Sequence, residues 1–322
     1  MKNKFISYSR QSIDKSDIKS VVQVLKSNFL TSGPIVKQFE NKISSIAKSK
    51  FAVSSNSATS SLHLACLALG IKKNDTVWVP SISFVATANC AAYCDAKLEF
   101  LDIDLNTFNL DLINLENKLK TAKKKNKIPK LLLVVHMGGT PLDMIKVRNL
   151  SLKYKFKVIE DASHALGSFY KKKEPVGNCK YSDISVFSFH PVKIATTCEG
   201  GVSTTNSNYL FQQMKLYREH GIERDKKMFT KKNKYPIYYE QKKLGYNYRL
   251  SELHAALGLS QIKRVKKFVI KRNKLKKIYE KNFSNFSIKF QKVSKNAYSS
   301  NHLVIILVPK KYRNKLFSFL KM

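Results

Sequence analysis

Lys193 and Asp161 are the two residues whose types and placement offer covalent and acid–base chemistry. Lys193 follows the run DISVFSF and the pair His190–Pro191. Ile184, Val186 and the two Phe residues around Ser188 favour extended backbone. Pro191 ends the ladder, because it lacks an N–H and fixes its own φ. Lys193 therefore falls just past a strand end, where sites are commonly built in α/β proteins. An amine placed there can form an imine with an aldehyde cofactor. An ordinary solvated lysine of a lysine-rich chain fits the same pattern. Asp161 closes the apolar run 156–160, and a carboxylate at that strand end points to the same crevice. It can pair with a protonated ring nitrogen, or cap the following turn.

Two further stretches could hold a ligand. Residues 54–61 (SSNSATSS) lie between a strand and a helix start, where free N–H groups and the positive end of the dipole favour an anion. Plain Ser/Thr capping explains the same residues without a ligand. Neither a Walker loop nor GxGxxG is present. Phe84 stands at a strand-to-helix junction, suited to stacking on a planar ring or to core packing. The loop NFLTSGP (28–34) can touch a ligand or simply turn.

The elements that must position these residues read as alternating strands and helices. Residues 1–12 read as extended. Helices are expected over 13–27, 36–47, 62–69, 85–93, 110–119, 142–153, 208–220, 251–282 and 312–320. Strands are expected over 51–53, 76–79, 98–103, 130–136, 156–160 and 301–308, with a strand–loop–strand unit over 183–206. KKKNK (123–127) reads as a solvated loop, and 221–243 as a polar, basic, mobile one. KLLLVVH (130–136) has the near-continuous apolar pattern of a strand covered on both faces. Repeated β-α-β units between about 50 and 205 predict a mostly parallel sheet with helices on both faces. The expected division is an N-terminal arm and large domain over 1–245, then a linking helix and partial small α/β domain over 246–322.

Composition narrows the function. The 59 Lys and Arg against 22 Asp and Glu give a net charge of +37. That balance favours anionic partners: a phosphorylated small molecule, an acidic surface or nucleic acid. The charges are spread over amphipathic helices, and no helix-turn-helix, zinc-finger or RNA-binding aromatic motif accompanies them. Specific nucleic-acid binding is therefore not expected. The five cysteines, Cys66, Cys90, Cys94, Cys179 and Cys198, fit no disulfide framework or zinc spacing. A reducing cytoplasmic setting fits them, and no metal is expected. The first twenty residues contain no apolar signal core, and no uncharged run reaches membrane-spanning length.

The sequence resembles the pyridoxal-phosphate-dependent nucleotide-sugar aminotransferases of fold type I. The resemblance runs from about Tyr8 to Val308. It is carried by NSATSSLHLA (56–65), PSISFVATAN (80–89), EDASHALGSFY (160–170), VFSFHPVKIATTCEGG (186–201), YNYRLSELHAALGLSQIK (246–263) and SSNHLV (299–304). The subgroup most like it transfers an amine to C4 of a UDP-linked 4-keto-6-deoxy-N-acetyl-hexosamine in pseudaminic acid biosynthesis. Other nucleotide-linked 4-keto sugars are the neighbouring alternative.

The resemblance implies pyridoxal 5′-phosphate as cofactor and L-glutamate as amino donor. It makes Lys193 the imine-forming lysine and Asp161 the partner of the ring nitrogen. Ala58, Thr59 and the Ser188 hydroxyl would meet the cofactor phosphate, Phe84 would stack on the ring, and His164 would lie against the cofactor. Asn247 would reach the phosphate of a partner subunit, giving a homodimer with composite sites. Tyr8, the loop Asn28, Phe29, Leu30 and Thr31, and Asn301 with His302 would contact substrate, together with Ala58 and Ser188. Relatives continue for several dozen residues past the point matching Met322, so the resemblance also implies an incomplete small domain, from a truncated frame or a fragment. A catalytically lapsed homologue is the corresponding alternative.

Overall fold

Strands of five residues each build one sheet, and the fully aliphatic LLLVV (131–135) is buried within it. The computed structural model describes residues 7–171, 174–231 and 235–321. Its strands are β1 (Phe51–Ser55), β2 (Thr76–Pro80), β3 (Lys97–Leu101), β4 (Leu131–Val135), β5 (Lys157–Asp161), β6 (Phe169–Lys171), β7 (Glu174–Pro175), β8 (Ile184–Ser188), β9 (Gly201–Thr205), β10 (Ile222–Glu223), β11 (Glu240–Gln241), β12 (Lys289–Phe290) and β13 (Ile306–Leu307). Seven of them form a sheet in the order β1-β9-β8-β5-β4-β2-β3. The pairs from β3 through β8 are parallel, and β9 runs against both its neighbours. The mostly parallel sheet expected from the apolar runs is the one observed.

The helices are α1 (Lys15–Leu25), α2 (Pro34–Ala47), α3 (Ala58–Ala68), α4 (Ala86–Ala92), α5 (Leu112–Lys124), α6 (Met144–Tyr154), α7 (Asn208–Arg218), α8 (Glu252–Ile262), α9 (Val265–Asn282) and α10 (Lys310–Lys321). Short polar side chains start many of them, as the sequence pattern requires. Asp14, Ser57, Asp111, Asp143, Ser207 and Ser251 each accept first-turn amides. Because Ser57 caps α3, that helix begins one turn before residue 62. Asp111 likewise starts α5 late, and the helix runs on into the KKKNK stretch. Helix α2 is capped from across the chain: buried Glu252 accepts the amides of Gly33, Ile35 and Val36 at 3.1, 2.8 and 2.9 Å.

Alternation along the strands splits the core into layers. Leu131, Leu133, Ile159 and Val186 face α3, α4 and α7, whose Leu62, Leu64, Cys90 and Met214 complete that cluster. Leu132, Val134 and Val158 face the other way with Trp78, Leu115 and Val147. A third cluster joins Phe187 and Val202 to Phe39 of α2 and to Ala255 and Val265 of α8 and α9. Each fully buried aliphatic side chain of this kind contributes about 1.5–3 kcal/mol.

Two expectations are corrected. The single helix over 251–282 is two helices, broken between Ile262 and Val265. At the break, Arg264 pairs with Asp14 and Asp17 of α1, and Gln261 Nε2 donates to Asp17 at 2.7 Å. The apolar period continues across the break, so the pattern alone hides it. The strand over 301–308 reduces to Ile306–Leu307. Ser299, Ser300, Asn301 and His302 are all buried, and they bond to loops and to α9 in place of a ladder. Of the segment 1–12, residues 1–6 lie outside the described residues, and 7–12 form no strand. In 221–243 the short pair β10–β11 forms, and residues 232–234 lie outside the description. Among the described residues no helix is long and apolar enough to cross a membrane, and no group of three or more His, Cys, Asp or Glu is placed to hold a metal.

Candidate active site

Strand register gathers the site at one edge of the sheet. Ser55, Gly201 and Ser188 form one row across β1, β9 and β8, and Asp161 pairs with Val186 two positions back. β9 is the reversed strand, so its first residue, not its last, lies at this edge. The chain leaves β8 at Ser188, turns at Pro191, and places Lys193 where its N–H donates to His190 O at 2.9 Å. The neighbouring Val192 O accepts from Ser9 Oγ at 3.1 Å, which lays the N-terminal arm beside the turn.

Lys193 is half-buried, and burial lowers the pKa of its amine, with the Asp161 carboxylate opposing that shift. More of the amine is thereby the neutral nucleophile near neutral pH. Asp161 is buried, with Thr87 Oγ1 donating to Oδ2 at 2.7 Å and Ser163 N–H donating to Oδ1 at 3.1 Å. Thr87 sits on the first turn of α4, so that helix braces the carboxylate from one face of the sheet.

Two buried histidines complete the cluster. The rings of His164 and His302 lie 4.5 Å apart with 39° between their planes. Burial, then the charge of Lys193, lowers His164 to about 4, while Asp161 opposes. Burial, His164, Lys193 and Arg272 lower His302 to about 2. Both rings are neutral at neutral pH, and the Nδ1 atom of each is buried without a hydrogen-bond partner. An unsatisfied buried polar atom is costly unless something fills the space beside it.

At the same end of the strands as Ser188, the start of α3 forms a cradle. Ser57 Oγ accepts from Ser60 N–H at 3.0 Å, while Ala58 and Thr59 occupy the first turn, where amides have no intrahelical acceptor. Strand β9 approaches so closely that a Cβ on Gly201 would lie 2.4 Å from Ser57 O and 2.6 Å from Ala58 N. Only glycine fits there. The cradle, the lysine with its lowered pKa, the buried carboxylate and the two orphaned imidazole nitrogens suit a planar, phosphorylated aldehyde.

A scan against family models matches residues 11–322 to the DegT/DnrJ/EryC1/StrS aminotransferase family. The chain belongs to the DegT/DnrJ/EryC1/StrS aminotransferase family. A Campylobacter jejuni member named UDP-4-amino-4,6-dideoxy-N-acetyl-beta-L-altrosamine transaminase is 42% identical over 313 residues, covering 96% of this chain and 78% of that protein. Helicobacter pylori PseC, described as an aminotransferase involved in the biosynthesis of pseudoaminic acid, superposes with a TM-score of 0.84 at 34% identity, covering 97% of this chain and 80% of that one. A Streptococcus pneumoniae chain solved in PLP and PMP forms also matches, the PLP form with a TM-score of 0.86 at 26% identity over 98% of this chain and 82% of that one.

Against the positions this aminotransferase family suggested, the structure sorts the residues into groups. Lys193, Asp161, His164 and His302 share one electrostatic cluster. Asn301 is buried beside it, but its side-chain amide donates to Asn273 Oδ1 at 2.8 Å and so anchors the segment to α9. Phe84 is 67% exposed, on the loop that leads to Thr87. Asn247 is exposed, between the stacked rings of Tyr246 and Tyr248, and Tyr248 O accepts from Asn56 N–H at 2.9 Å. Tyr8, Asn28, Phe29, Leu30 and Thr31 are exposed, and Leu30 O docks on Glu252 N–H at the start of α8. No local pattern marks Thr87, one residue of the helix expected over 85–93, or Arg272, one basic residue in a basic helix. Arg272 donates to His302 O at 2.9 Å.

Proposed function

We propose that this aminotransferase moves the amino group of L-glutamate to C4 of a UDP-linked 4-keto-6-deoxy-N-acetyl-hexosamine, giving UDP-4-amino-4,6-dideoxy-N-acetyl-β-L-altrosamine for pseudaminic acid biosynthesis. Pyridoxal 5′-phosphate is the cofactor, and 2-oxoglutarate is the second product. The observation that carries the chemistry is the single cluster of Lys193, Asp161 and two neutral histidines, with the Gly201–Ala58 cradle at the same end of the strands. The substrate rests on the 42% identity with the altrosamine transaminase over 96% of the chain.

The residues divide the work. The Lys193 amine binds the cofactor covalently, and once released it takes a proton from the donor's α-carbon and later returns one, as base and then acid. Burial suits it to both, because its pKa lies below that of a free lysine. Asp161 holds the proton on the ring nitrogen, with Thr87 and Ser163 fixing its two oxygens. The amides of Ala58 and Thr59 and the Ser188 hydroxyl bind the phosphate, and Phe84 covers the ring. His164 lies against the cofactor and His302 against the substrate side, each with a free Nδ1. The cofactor supplies the electron sink that makes the α-proton removable. Asn247, exposed at its turn, reaches the phosphate of a second copy in a homodimer. Tyr8 and residues 28–31 contact the sugar nucleotide.

The test is direct. Glutamate added to protein loaded with cofactor converts its visible band to the amine form. A panel of UDP-4-keto-6-deoxy sugars then identifies the acceptor by the mass of the amino product. No conversion by glutamate overturns the reaction; product from a different sugar only overturns the substrate.

A further inference from the structure

Behind Asp161, on the opposite face of the sheet, lies a buried polar cluster that the chemistry above does not use. Glu160 and His136 are both fully buried. His136 Nδ1 accepts from Leu142 N–H at 3.1 Å, which leaves the ring proton on Nε2, 2.7 Å from Glu160 Oε2. The Tyr170 hydroxyl donates to the same oxygen, and the Ser182 hydroxyl donates to Oε1. Burial and Glu160 hold the Tyr170 hydroxyl well above its usual pKa, so it stays a donor. Each proton in this set belongs to a partner, and the carboxyl group needs none of its own. Among the described residues, the Glu160 carboxylate is held by three donors and is paired with no Lys or Arg.

The cluster reaches Asp161 by a short path. Residues 160 and 161 are consecutive in β5, so their side chains leave the strand on opposite faces. His136 N–H donates to Asp161 O at 3.2 Å, and Ala162 N–H donates to Val186 O at 2.8 Å. The groups facing Glu160 are His136 from the end of β4, Tyr170 from β6, and Cys179 and Ser182 from the connection before β8. Those facing Asp161 are Thr87, Lys193 and His164.

We propose that Glu160, held by His136, Tyr170 and Ser182, is a positioning residue for Asp161, fixing the end of β5 and placing a second negative charge behind the carboxylate that faces the cofactor ring. This rests on the role given to Asp161 above. A merely structural cluster would hold the strand end but would not act on charge at the ring.

The pH titration of the visible band of cofactor-loaded protein separates the two. A unit charge about 10 Å away at an effective dielectric near 20 shifts a titration by about one pH unit. Removing a negative charge disfavours the protonated form, so Glu160→Gln moves the midpoint to lower pH, by about half to one unit. It also lowers kcat about tenfold, with KM for glutamate held within about twofold. A Glu160→Gln midpoint at or above that of the wild type overturns the proposal, whatever the rate. If that variant does not fold, Tyr170→Phe decides: it removes one of the three donors that hold the carboxylate behind Asp161, and shifts the midpoint downward by less. A wild-type midpoint in Tyr170→Phe then overturns the proposal. Asp161→Asn run alongside separates the failures. If Asp161→Asn leaves band and rate at wild type, the role of Asp161 fails; if it collapses both while Glu160→Gln shifts nothing, only the role of Glu160 fails.

Discussion

The groups gathered about Lys193 and the strand ends form two walls, and they are held by different forces. One wall is the sheet edge: Asp161, Ser188, Gly201 and the start of α3. Every residue of β4, β8 and β9 is buried, and ladder hydrogen bonds fix the register. The other wall is the segment 299–302. No ladder holds it. Ser300 N–H bonds to Ser168 Oγ at 2.9 Å, Ser300 Oγ to His164 O at 2.9 Å, and Asn301 to Asn273. Farther along, β12 and β13 are two residues each, and no residue of α10 is buried. Backbone ladders place Asp161 and the strand end from which the turn to Lys193 departs; side-chain bonds place the segment proposed to face substrate. The second kind can be rewritten one residue at a time, which suits a family that handles many sugars.

The sharpest way to break this comparison is at the ladder-held wall. On the role proposed for Lys193, Lys193→Ala removes both the covalent anchor and the proton carrier. Turnover falls by at least about 1000-fold, more than about 4 kcal/mol of barrier, and the borohydride-sensitive visible band disappears. A band that survives removes the assignment of Lys193. Asp161→Ala leaves Lys193 in place but takes away the charge proposed to hold the ring proton. A loss of about 100-fold or more in kcat is expected, in line with removing a preorganised electrostatic partner. Wild-type turnover would show that the ring nitrogen is held some other way.

The same contrast explains what the sequence disclosed. Strand ends at Asp161 and Ser188 follow from buried aliphatic runs that stop at Asp161 and Pro191, so the ladder-held wall was legible from pattern and motif. The segment 299–302 was not. NHLVIILV has the composition of a strand, but Ser300 and His302 are buried by partners 130 or more residues earlier in the chain, Ser168 and His164. No local rule contains that information. The break at Arg264 was hidden for a similar reason: its cause, Asp17, lies on α1. Glu160 read as an ordinary strand residue beside Asp161, and only its three donors mark it out.

Between the extremes, Gly201→Ala tests whether the cradle depends on close approach. Its Cβ would meet backbone atoms of Ser57 and Ala58, so α3 must retreat. A cost of about 1–3 kcal/mol in stability is expected from such overpacking, with cofactor affinity falling alongside. Unfolding at fixed cofactor concentration and equilibrium titration measure the two. His164 tests the seam between the walls. Its pKa is about 4 in the folded chain, below the ordinary 6.5. Above pH 6.5 the ring is neutral in both states and costs nothing. As pH falls from 6.5 towards 4 the unfolded chain gains a proton that the folded chain refuses, so stability is lost across that window. His164→Gln removes this loss, and its stability falls less steeply between pH 6.5 and 4 in denaturant titrations. Parallel slopes for variant and wild type would contradict the burial of a neutral ring.

The smallest effect lies farthest from the ladder. Phe317, Phe319 and Leu320 of α10 are 60%, 66% and 70% exposed. Stabilisation by an apolar side chain scales with the area it removes from water, and these remove little. The Lys321 amine lies 4.6 Å from the centre of the Phe317 ring, an exposed cation–π contact worth about 0.5–1 kcal/mol. Phe317→Ala is therefore expected to change unfolding stability by no more than about 1 kcal/mol. Leu132→Ala, in a fully buried β4 position, costs about 2–5 kcal/mol by lost transfer and cavity. A Phe317→Ala cost as large as that of Leu132→Ala would mean that α10 packs against something in solution, and the contrast between the walls would have to be redrawn.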